Sequence, residues 1–354
     1  MPVTLRSYAK VNLGLAIGPA RPDGFHALTT LYQTIEAHDL LTVEVSRVSR
    51  QVPDSAGSPG IRLTSNDPRV PLDARNTVWK ILAQALALPG REAIQAHEGM
   101  QVAVHIDKRL PIQGGLGGGS ANAAAALLGL ERELARQQLA PPMTGEQRLL
   151  LAAQVGSDVP LFLLGGAVLG TGRGESVIPL ADLPRLPAVV ALPNTGVSTP
   201  LAFRAWDAGH AAASLTPGVM TGRLSRLSRA LASAYCEEHA TGVLLPTFRD
   251  QGLAGTLLSS LVQTGILLND FEEVVFRQHP FLEQIKRVLA GEPAGSHAAY
   301  AALSGSGSAL FGLYSEEEAA DEAQARLNML GIRSLRTHTV DRACYWAGMV
   351  IRED

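Results

Sequence analysis

Residues 111–122 read Pro-Ile-Gln-Gly-Gly-Leu-Gly-Gly-Gly-Ser-Ala-Asn. Five glycines (Gly114, Gly115, Gly117, Gly118 and Gly119) fall within six residues, and an alanine-rich run follows at once. Glycine lets the backbone approach a ligand closely and take positive φ. Ser120 is expected at the N-cap of the helix that follows. Unpaired N–H groups at a helix N-terminus, with the dipole behind them, favour an anion. Such a loop can cradle a polyphosphate. A tight strand–helix turn is the plainer use of the same glycines. Neither Gly-x4-Gly-Lys-[Ser/Thr] nor Gly-x-Gly-x-x-Gly occurs here. A phosphate site without its own lysine must draw positive charge from elsewhere in the chain.

Lys10 is the only lysine in the first 79 residues and sits in Tyr8-Ala9-Lys10-Val11-Asn12. It can supply that charge, although a lone lysine at a strand junction is commonly just solvated. Lys108 and Arg109, immediately before the loop, are rival suppliers. Gly156-Ser157-Asp158-Val159-Pro160 offers one carboxylate between a helix and an apolar run. Asp158 can be a turn or capping aspartate. Alternatively it is a general base: a carboxylate beside a lysine is held ionised and can take a proton from an attacking hydroxyl. A second glycine cluster, Ser304-Gly305-Ser306-Gly307-Ser308, lies between two short strand patterns. It reads as a plain β-turn or as the other wall of a site closed from two sides. In Asp23-Gly24-Phe25-His26 an aromatic ring adjoins an imidazole. Such a pair can stack on a base and hydrogen-bond its edge, with stacking worth ~1–3 kcal/mol per base.

These residues need elements to hold them. Strand patterns occur within 3–17 and 27–46, broken by the turn signal Arg21-Pro22-Asp23-Gly24. Residues 47–60 read as a loose loop. Asn76 caps a helix over 78–88, and Val102–Ile106 alternates as a strand. The glycine loop leads into a helix from Ser120 to about Arg136, and 145–155 is a further helix. The last quarter reads strand 299–303, glycine turn, strand 309–313, helix 316–330, strand 334–340. Helices and short strands interleave without strict β-α-β repetition, which favours α+β. The glycines at 165–166 and 170–174 place a domain boundary there. Residues 209–265, rich in Ala, Leu, Ser and Arg, read as a surface helical insertion, with a lid or oligomer contact as the alternative.

Composition narrows the classes. A length of 354 residues favours two domains. Hydrophobic residues make up 46% and charged ones 18%, enough for a large core. The net charge of −3 and the 5% aromatic content argue against nucleic acid and anionic membrane as partners. Apolar runs such as 123–128 are too short to span a bilayer. No leader pattern precedes the first strand, and Cys236 and Cys344 are expected as reduced thiols in a cytoplasmic protein.

Together these residues resemble the GHMP kinase superfamily, whose three motifs occur in order: the segment with Lys10, the 111–122 loop, and Leu303–Ser308. Within it, Ala9–Leu13, Arg21–His26, Gln33, Asp107–Pro111, Gly156–Pro160 and Asn269–Glu272 are similar to the 4-diphosphocytidyl-2-C-methyl-D-erythritol kinases. The resemblance implies an α+β, two-domain GHMP kinase fold. A ribosomal-protein-S5-domain-2-like, ATP-binding domain would occupy 1–170. A ferredoxin-like domain would occupy 171–354 and carry the 209–265 insertion. It implies transfer of a phosphoryl group from ATP to the substrate's 2-hydroxyl, with Mg²⁺ bridging phosphates. Lys10 and Asp158 match the catalytic pair, Asp158 as general base and Lys10 as charge stabiliser. Pro111, Gly114, Gly115, Leu116, Gly117, Gly118, Gly119, Ser120 and Asn122 match the ATP loop, with Ser120 a possible metal contact. Asn12, Phe25, His26, Phe203, Ser304, Gly305, Ser306 and Gly307 match the substrate side, His26 reading cytosine between Phe25 and Phe203. Phe25 stands where the family usually has tyrosine. The assembly implied is a monomer or homodimer. The rivals are a mevalonate- or homoserine-type kinase, which needs no cytosine pocket, and a non-catalytic nucleotide- or RNA-binding module.

Overall fold

The structure is a computed structural model that describes residues 2–47, 60–88, 100–211, 267–293 and 295–353. β1 (Val3–Ala20) and β2 (His26–Arg47) form one long antiparallel ladder. They are joined by a turn in which the Arg21 N–H donates to the Phe25 carbonyl at 2.7 Å. The several short strands expected in 3–17 and 27–46 are therefore two continuous ones. Register shifts at Tyr8/Ala9, Asn12/Gly14 and Ile17/Ala20 bend the ladder. Polar residues that look like strand breaks in the sequence, Lys10 and Asn12 among them, are absorbed inside it.

β2 is shared between partners. Its residues 40–47 pair with β4 (Met100–Asp107), and 30–33 pair with β5 (Ala167–Thr171). With β3 (Ile61–Ser65), β6 (Ser176–Pro179) and β11 (Val350–Glu353) they complete a seven-stranded sheet. A second sheet of four strands has the order β10-β7-β9-β8, every pair antiparallel. It is built from β7 (Pro187–Leu192), β8 (Tyr300–Leu303), β9 (Leu310–Leu313) and β10 (Arg333–His338). Counted within that sheet, the order is 4-1-3-2, the ferredoxin-like arrangement.

Helices cover the outer face of each sheet. α1 (Thr77–Leu86), α2 (Gly118–Arg136) and α3 (Gly145–Val155) pack on the larger one. α4 (Thr199–Ala211), α5 (Phe271–Gln278), α6 (Pro280–Ala290) and α7 (Glu317–Met329) pack on the smaller. α8 (Arg342–Met349) leads the chain back to the larger sheet through β11. The alternation of β7 shows how the layers are set. Ala188, Val190 and Leu192 join a core between the sheets, while Val189 and Ala191 face the helices. The mixed α+β architecture expected from the sequence is thus observed.

The 170/171 division falls inside β5, and both partners of β5 lie in the larger sheet. β11 returns to that sheet from the far end of the chain. Glycines mark a tight hairpin at 172–174 here, where φ is positive at Gly172 and Gly174, and the change of sheet comes at β7. Of the 209–265 stretch, 209–211 end α4, and the rest lies outside the described residues, as does Cys236. Cys344 is exposed with a free thiol.

Candidate active site

The 111–122 loop is anchored by its leucines. Leu110 and Leu116 are buried in the core between the sheets, so the residues between them must arch outward. The loop meets the second glycine cluster directly. The Ser304 hydroxyl donates to the Gly115 carbonyl at 2.9 Å, and the Ala309 N–H donates to the Gly114 carbonyl at 3.2 Å. Gly115 has φ +77°, and a Cβ there would lie 2.3 Å from the Ser304 carbonyl oxygen. Only glycine fits that junction without displacing one loop.

α2 begins earlier than the sequence suggests. Gly117, at φ 71°, is the N-cap, and the helix runs from Gly118. The expectation of Ser120 as N-cap is corrected: it lies in the first turn, and the cap makes no side-chain hydrogen bond. A left-handed glycine turns the chain here without a capping hydroxyl, a geometry that composition alone does not reveal. The first N–H groups of α2 are consequently available at the loop's mouth. Asn122 sits deeper, buried, where its Oδ1 accepts the Ser7 hydroxyl at 2.6 Å.

Lys10 comes from the middle of β1 and is 3% exposed. Its backbone N–H donates to the Leu116 carbonyl at 3.0 Å, tying strand to loop. Its Nζ donates to Asn12 Oδ1 at 2.6 Å and lies 3.3 Å from Asp158 Oδ2. A Cβ built at Gly305 would come within 3.6 Å of the same Nζ. The ammonium therefore stands where the two glycine loops, Asn12 and Asp158 converge. An ammonium carries three donors; Asn12 takes one of them, and Asp158 faces the ammonium as its ion-pair partner.

Asp158 is placed by a turn between α3 and a 3₁₀ segment, Pro160–Leu163. Val159 and Phe162 next to it are fully buried and fix the turn. Its Oδ1 accepts the Tyr32 hydroxyl at 3.0 Å, and its side chain is 31% exposed. Burial, and then the Asp158 carboxylate, push the Tyr32 phenol well above the usual tyrosine value. It therefore remains a donor throughout the neutral range. Asn12 is held in turn by Thr30, which accepts from Asn12 Nδ2 at 2.8 Å and donates to the Gly14 carbonyl. Asn269, at the start of the Asn269–Glu272 motif, donates to the carbonyls of Leu303 and Gly305. It braces the second glycine cluster, while Ser306 bonds Thr199 at 2.7 Å.

The rival cations separate. Arg109 turns its guanidinium to Asp107 at the surface. Lys108 stays by the loop, paired with the buried Asp39, its Nζ 3.0 Å from where a Gly118 Cβ would be. Asp39 also accepts the N–H groups of Arg109 and Leu110, so it locks the strand's exit into the loop.

The residues expected at a base pocket fall into two groups. Phe203 stacks on His26 with ring centroids 5.1 Å apart and planes 9° apart, and its edge meets Phe271 at 4.9 Å. His26 Nε2 lies 2.8 Å from Asp207 Oδ1. Phe25 is 52% exposed and carries the Arg173 guanidinium 5.0 Å over its ring. The structure thus pairs Phe203 with His26, and Phe25 with Arg173. Tyr32, Thr30, Asp39 and Asp207 were missed by sequence reasoning, which also gave Asn269 no role of its own. Asp207 left a signal: it follows Phe203 by four residues, one helical turn. Among the described residues no group of three or more His, Cys, Asp or Glu is placed to hold a metal. Oxygen donors near the loop include the Ser120 hydroxyl, 4.0 Å from where a Gly156 Cβ would be, and the Thr77 hydroxyl, which donates to the Gly119 carbonyl at 2.7 Å.

The chain matches the model of the GHMP kinases N terminal domain over residues 76–166 and that of the GHMP kinases C terminal over 244–332. The second match begins inside the 209–265 stretch. A 4-diphosphocytidyl-2-C-methyl-D-erythritol kinase from Solibacter usitatus (strain Ellin6076) is 36% identical over 318 residues, covering 89% of this chain and 82% of that protein. This chain belongs to the 4-diphosphocytidyl-2-C-methyl-D-erythritol kinase family. A member from Moorella thermoacetica (strain ATCC 39073 / JCM 9320) is 32% identical over 338 residues, 96% of this chain and 99% of that one. A crystal structure of 4-(cytidine 5'-diphospho)-2C-methyl-D-erythritol kinase shares the fold with a TM-score of 0.60 at 28% identity, over 95% of this chain and 98% of that chain. Among the described residues no helix is long and apolar enough to cross a membrane.

Proposed function

We propose that this chain phosphorylates the 2-hydroxyl of 4-diphosphocytidyl-2-C-methyl-D-erythritol with ATP, yielding the 2-phosphate and ADP. That is a step of the non-mevalonate route to isoprenoid precursors, and we place the enzyme in the cytoplasm as a monomer or homodimer. The observation that carries the reading is the position of Lys10 Nζ between Asp158, Asn12 and the two glycine loops. The substrate assignment draws on the family and on the His26–Phe203 stack.

In this reading the α2 N-terminus and the 114–119 backbone hold the ATP phosphates. Lys108, its charge balanced by Asp39, adds an N–H donor beside Gly118. Asp158 takes the proton of the 2-hydroxyl as the new O–P bond forms, and the bond from the γ-phosphorus to the β–γ bridging oxygen breaks to release ADP. A remaining donor of Lys10 meets a phosphoryl oxygen. Phosphoryl transfer depends mainly on positioning and charge stabilisation. Holding the reactants in line supplies about 7–11 kcal/mol of the barrier, and the base adds about 10²–10⁴-fold. Mg²⁺ would be held chiefly by the nucleotide's own phosphates, with the Ser120 hydroxyl a nearby protein oxygen, and would neutralise their charge. Asn12 orients the methylerythritol end through its bond to Lys10 and its brace on Thr30.

A coupled assay of ADP release tests the reading. Turnover is expected with the cytidylyl substrate and not with mevalonate or homoserine. Turnover of either of those, with the cytidylyl alcohol ignored, would overturn the substrate assignment. ATP binding without turnover of any of the three would favour the non-catalytic module.

A further inference from the structure

His26 lies between two groups from one face of α4. Phe203 covers the flat of its ring, and Asp207, one turn on, meets its edge at Nε2. Among the described residues Asp207 is the ring's hydrogen-bond partner. An ionised carboxylate only accepts, so Nε2 must carry the proton. While the imidazole is neutral, its other nitrogen, Nδ1, is then an acceptor. The stack prevents the ring from tipping, and a ring flip would set a carbon against Asp207. Asp207 is 54% exposed while His26 is 9% exposed, and a pair with one partner in solvent contributes little to stability. Folding does not explain the contact; orientation of the imidazole does.

We propose that Asp207 is a specificity-determining positioning residue: it fixes His26 as the Nε2–H tautomer, so that Nδ1 accepts the 4-amino group of a cytosine and repels the 4-carbonyl oxygen of a uracil. This rests on the cytidylyl substrate proposed above. Phe203 supplies sequence-blind stacking, which any pyrimidine satisfies. The tautomer supplies the choice between the two pyrimidines. A site built to hydrogen-bond one substrate group rejects the analogue that leaves it unpaired far better than an apolar pocket does.

The test compares kcat/KM for the 4-diphosphocytidyl alcohol and its diphosphouridyl analogue in the full-length wild type, Asp207→Asn and Asp207→Ala. The amide introduced by Asp207→Asn can present either its oxygen or its N–H to Nε2, so it no longer imposes one tautomer. Asp207→Asn is expected to lower the cytosine-to-uracil ratio by about 10-fold, partly by raising uridylyl turnover, with the KM for ATP unchanged. Asp207→Ala is expected to lower the ratio at least as much, because the acceptor that selects Nε2–H is gone. If both variants weakened the two substrates equally, Asp207 would be structural and the proposal overturned. Nitrogen-15 NMR of the His26 imidazole should show the proton on Nε2 in the wild type and a mixture of the two tautomers in both variants; a wild-type proton on Nδ1 also overturns it. Absence of turnover with either pyrimidine substrate would instead remove the kinase reading. Calorimetry with CMP and UMP then decides for Asp207 alone: a CMP preference lost in Asp207→Asn supports it, and no preference overturns it.

Discussion

Lys10 and Asn12 reach the joint between the glycine loops from the middle of a paired strand, whereas His26 and Asp207 meet at the proposed base pocket from a strand end and a helix surface. At the joint the backbone supplies the constraint. The carbonyls of Leu116 and Gly115 accept from strand and loop partners, and Asn269 clamps the second loop. In the pocket side chains constrain one another, by a stack, an edge contact and a half-solvated carboxylate. The difference separates two tasks. Charge must be placed to a fraction of an ångström for phosphoryl transfer, while base recognition tolerates rings that adjust to the ligand. Changes at the joint should therefore act on turnover, and changes in the pocket on substrate KM.

The sharpest way to break this contrast is Asp158→Asn. It keeps the shape and the Tyr32 and Lys10 neighbours but removes the proposed proton acceptor. We expect kcat to fall about 10²–10⁴-fold with little change in ATP affinity, read from ADP release and nucleotide titration. Near-normal turnover would remove Asp158 from the mechanism. On the pocket side, His26→Ala takes away the ring on which Phe203 stacks. The alcohol KM is expected to rise about 10–100-fold, because the hydrogen bond of His26 to the base and its support of Phe203 are lost together, while the ATP KM holds. Equal rises in both would erase the division between joint and pocket.

The same contrast governs what the sequence could show. Glycine loops and their neighbours are legible because close backbone approach leaves only one residue type able to serve. Gly115 against Ser304 is such a case. Asp158 was legible from a short local motif. Tyr32 and Thr30 were not: they lie on alternate positions of a strand whose residues look like core, and their partners are 126 and 16 residues away. Asp207 sits 181 residues from His26. Side-chain pairs across such separations depend on register and helix phase, which one-dimensional patterns do not carry. The N-cap of α2 was misplaced for the converse reason: serine is the usual capping signal, but a left-handed Gly117 starts the helix without a side chain.

Gly115→Ala probes the backbone half at smaller cost. A methyl 2.3 Å from the Ser304 carbonyl, on a residue at φ +77°, must push the two glycine loops apart. We expect a loss of about 1–3 kcal/mol in stability, measured by denaturant unfolding, and a rise in the ATP KM larger than that for the alcohol. Unchanged stability and ATP KM would show that the loops' contact is incidental.

The smallest effect tests whether the joint extends to Tyr32. Tyr32→Phe removes the hydrogen bond to Asp158 Oδ1 but leaves the ring over which Lys10 Nζ sits at 5.5 Å. One such bond contributes about 1 kcal/mol, so kcat should fall roughly fivefold with both KM values kept. The pH dependence of stability gives an independent reading. Burial and Asp158 hold the Tyr32 phenol protonated in the folded chain well above the ordinary value, whereas the unfolded chain releases that proton at pH ~10. This contribution is therefore complete below pH ~10 and is lost as the pH climbs toward the folded value. Tyr32→Phe removes that loss, so its alkaline unfolding, followed by circular dichroism, should move to higher pH. The shift should be partial, because burial raises Tyr300 and Tyr345 in the same direction. A variant that unfolded at lower pH than the wild type, with kcat intact, would assign Tyr32 to packing and confine the joint to Lys10, Asn12 and Asp158.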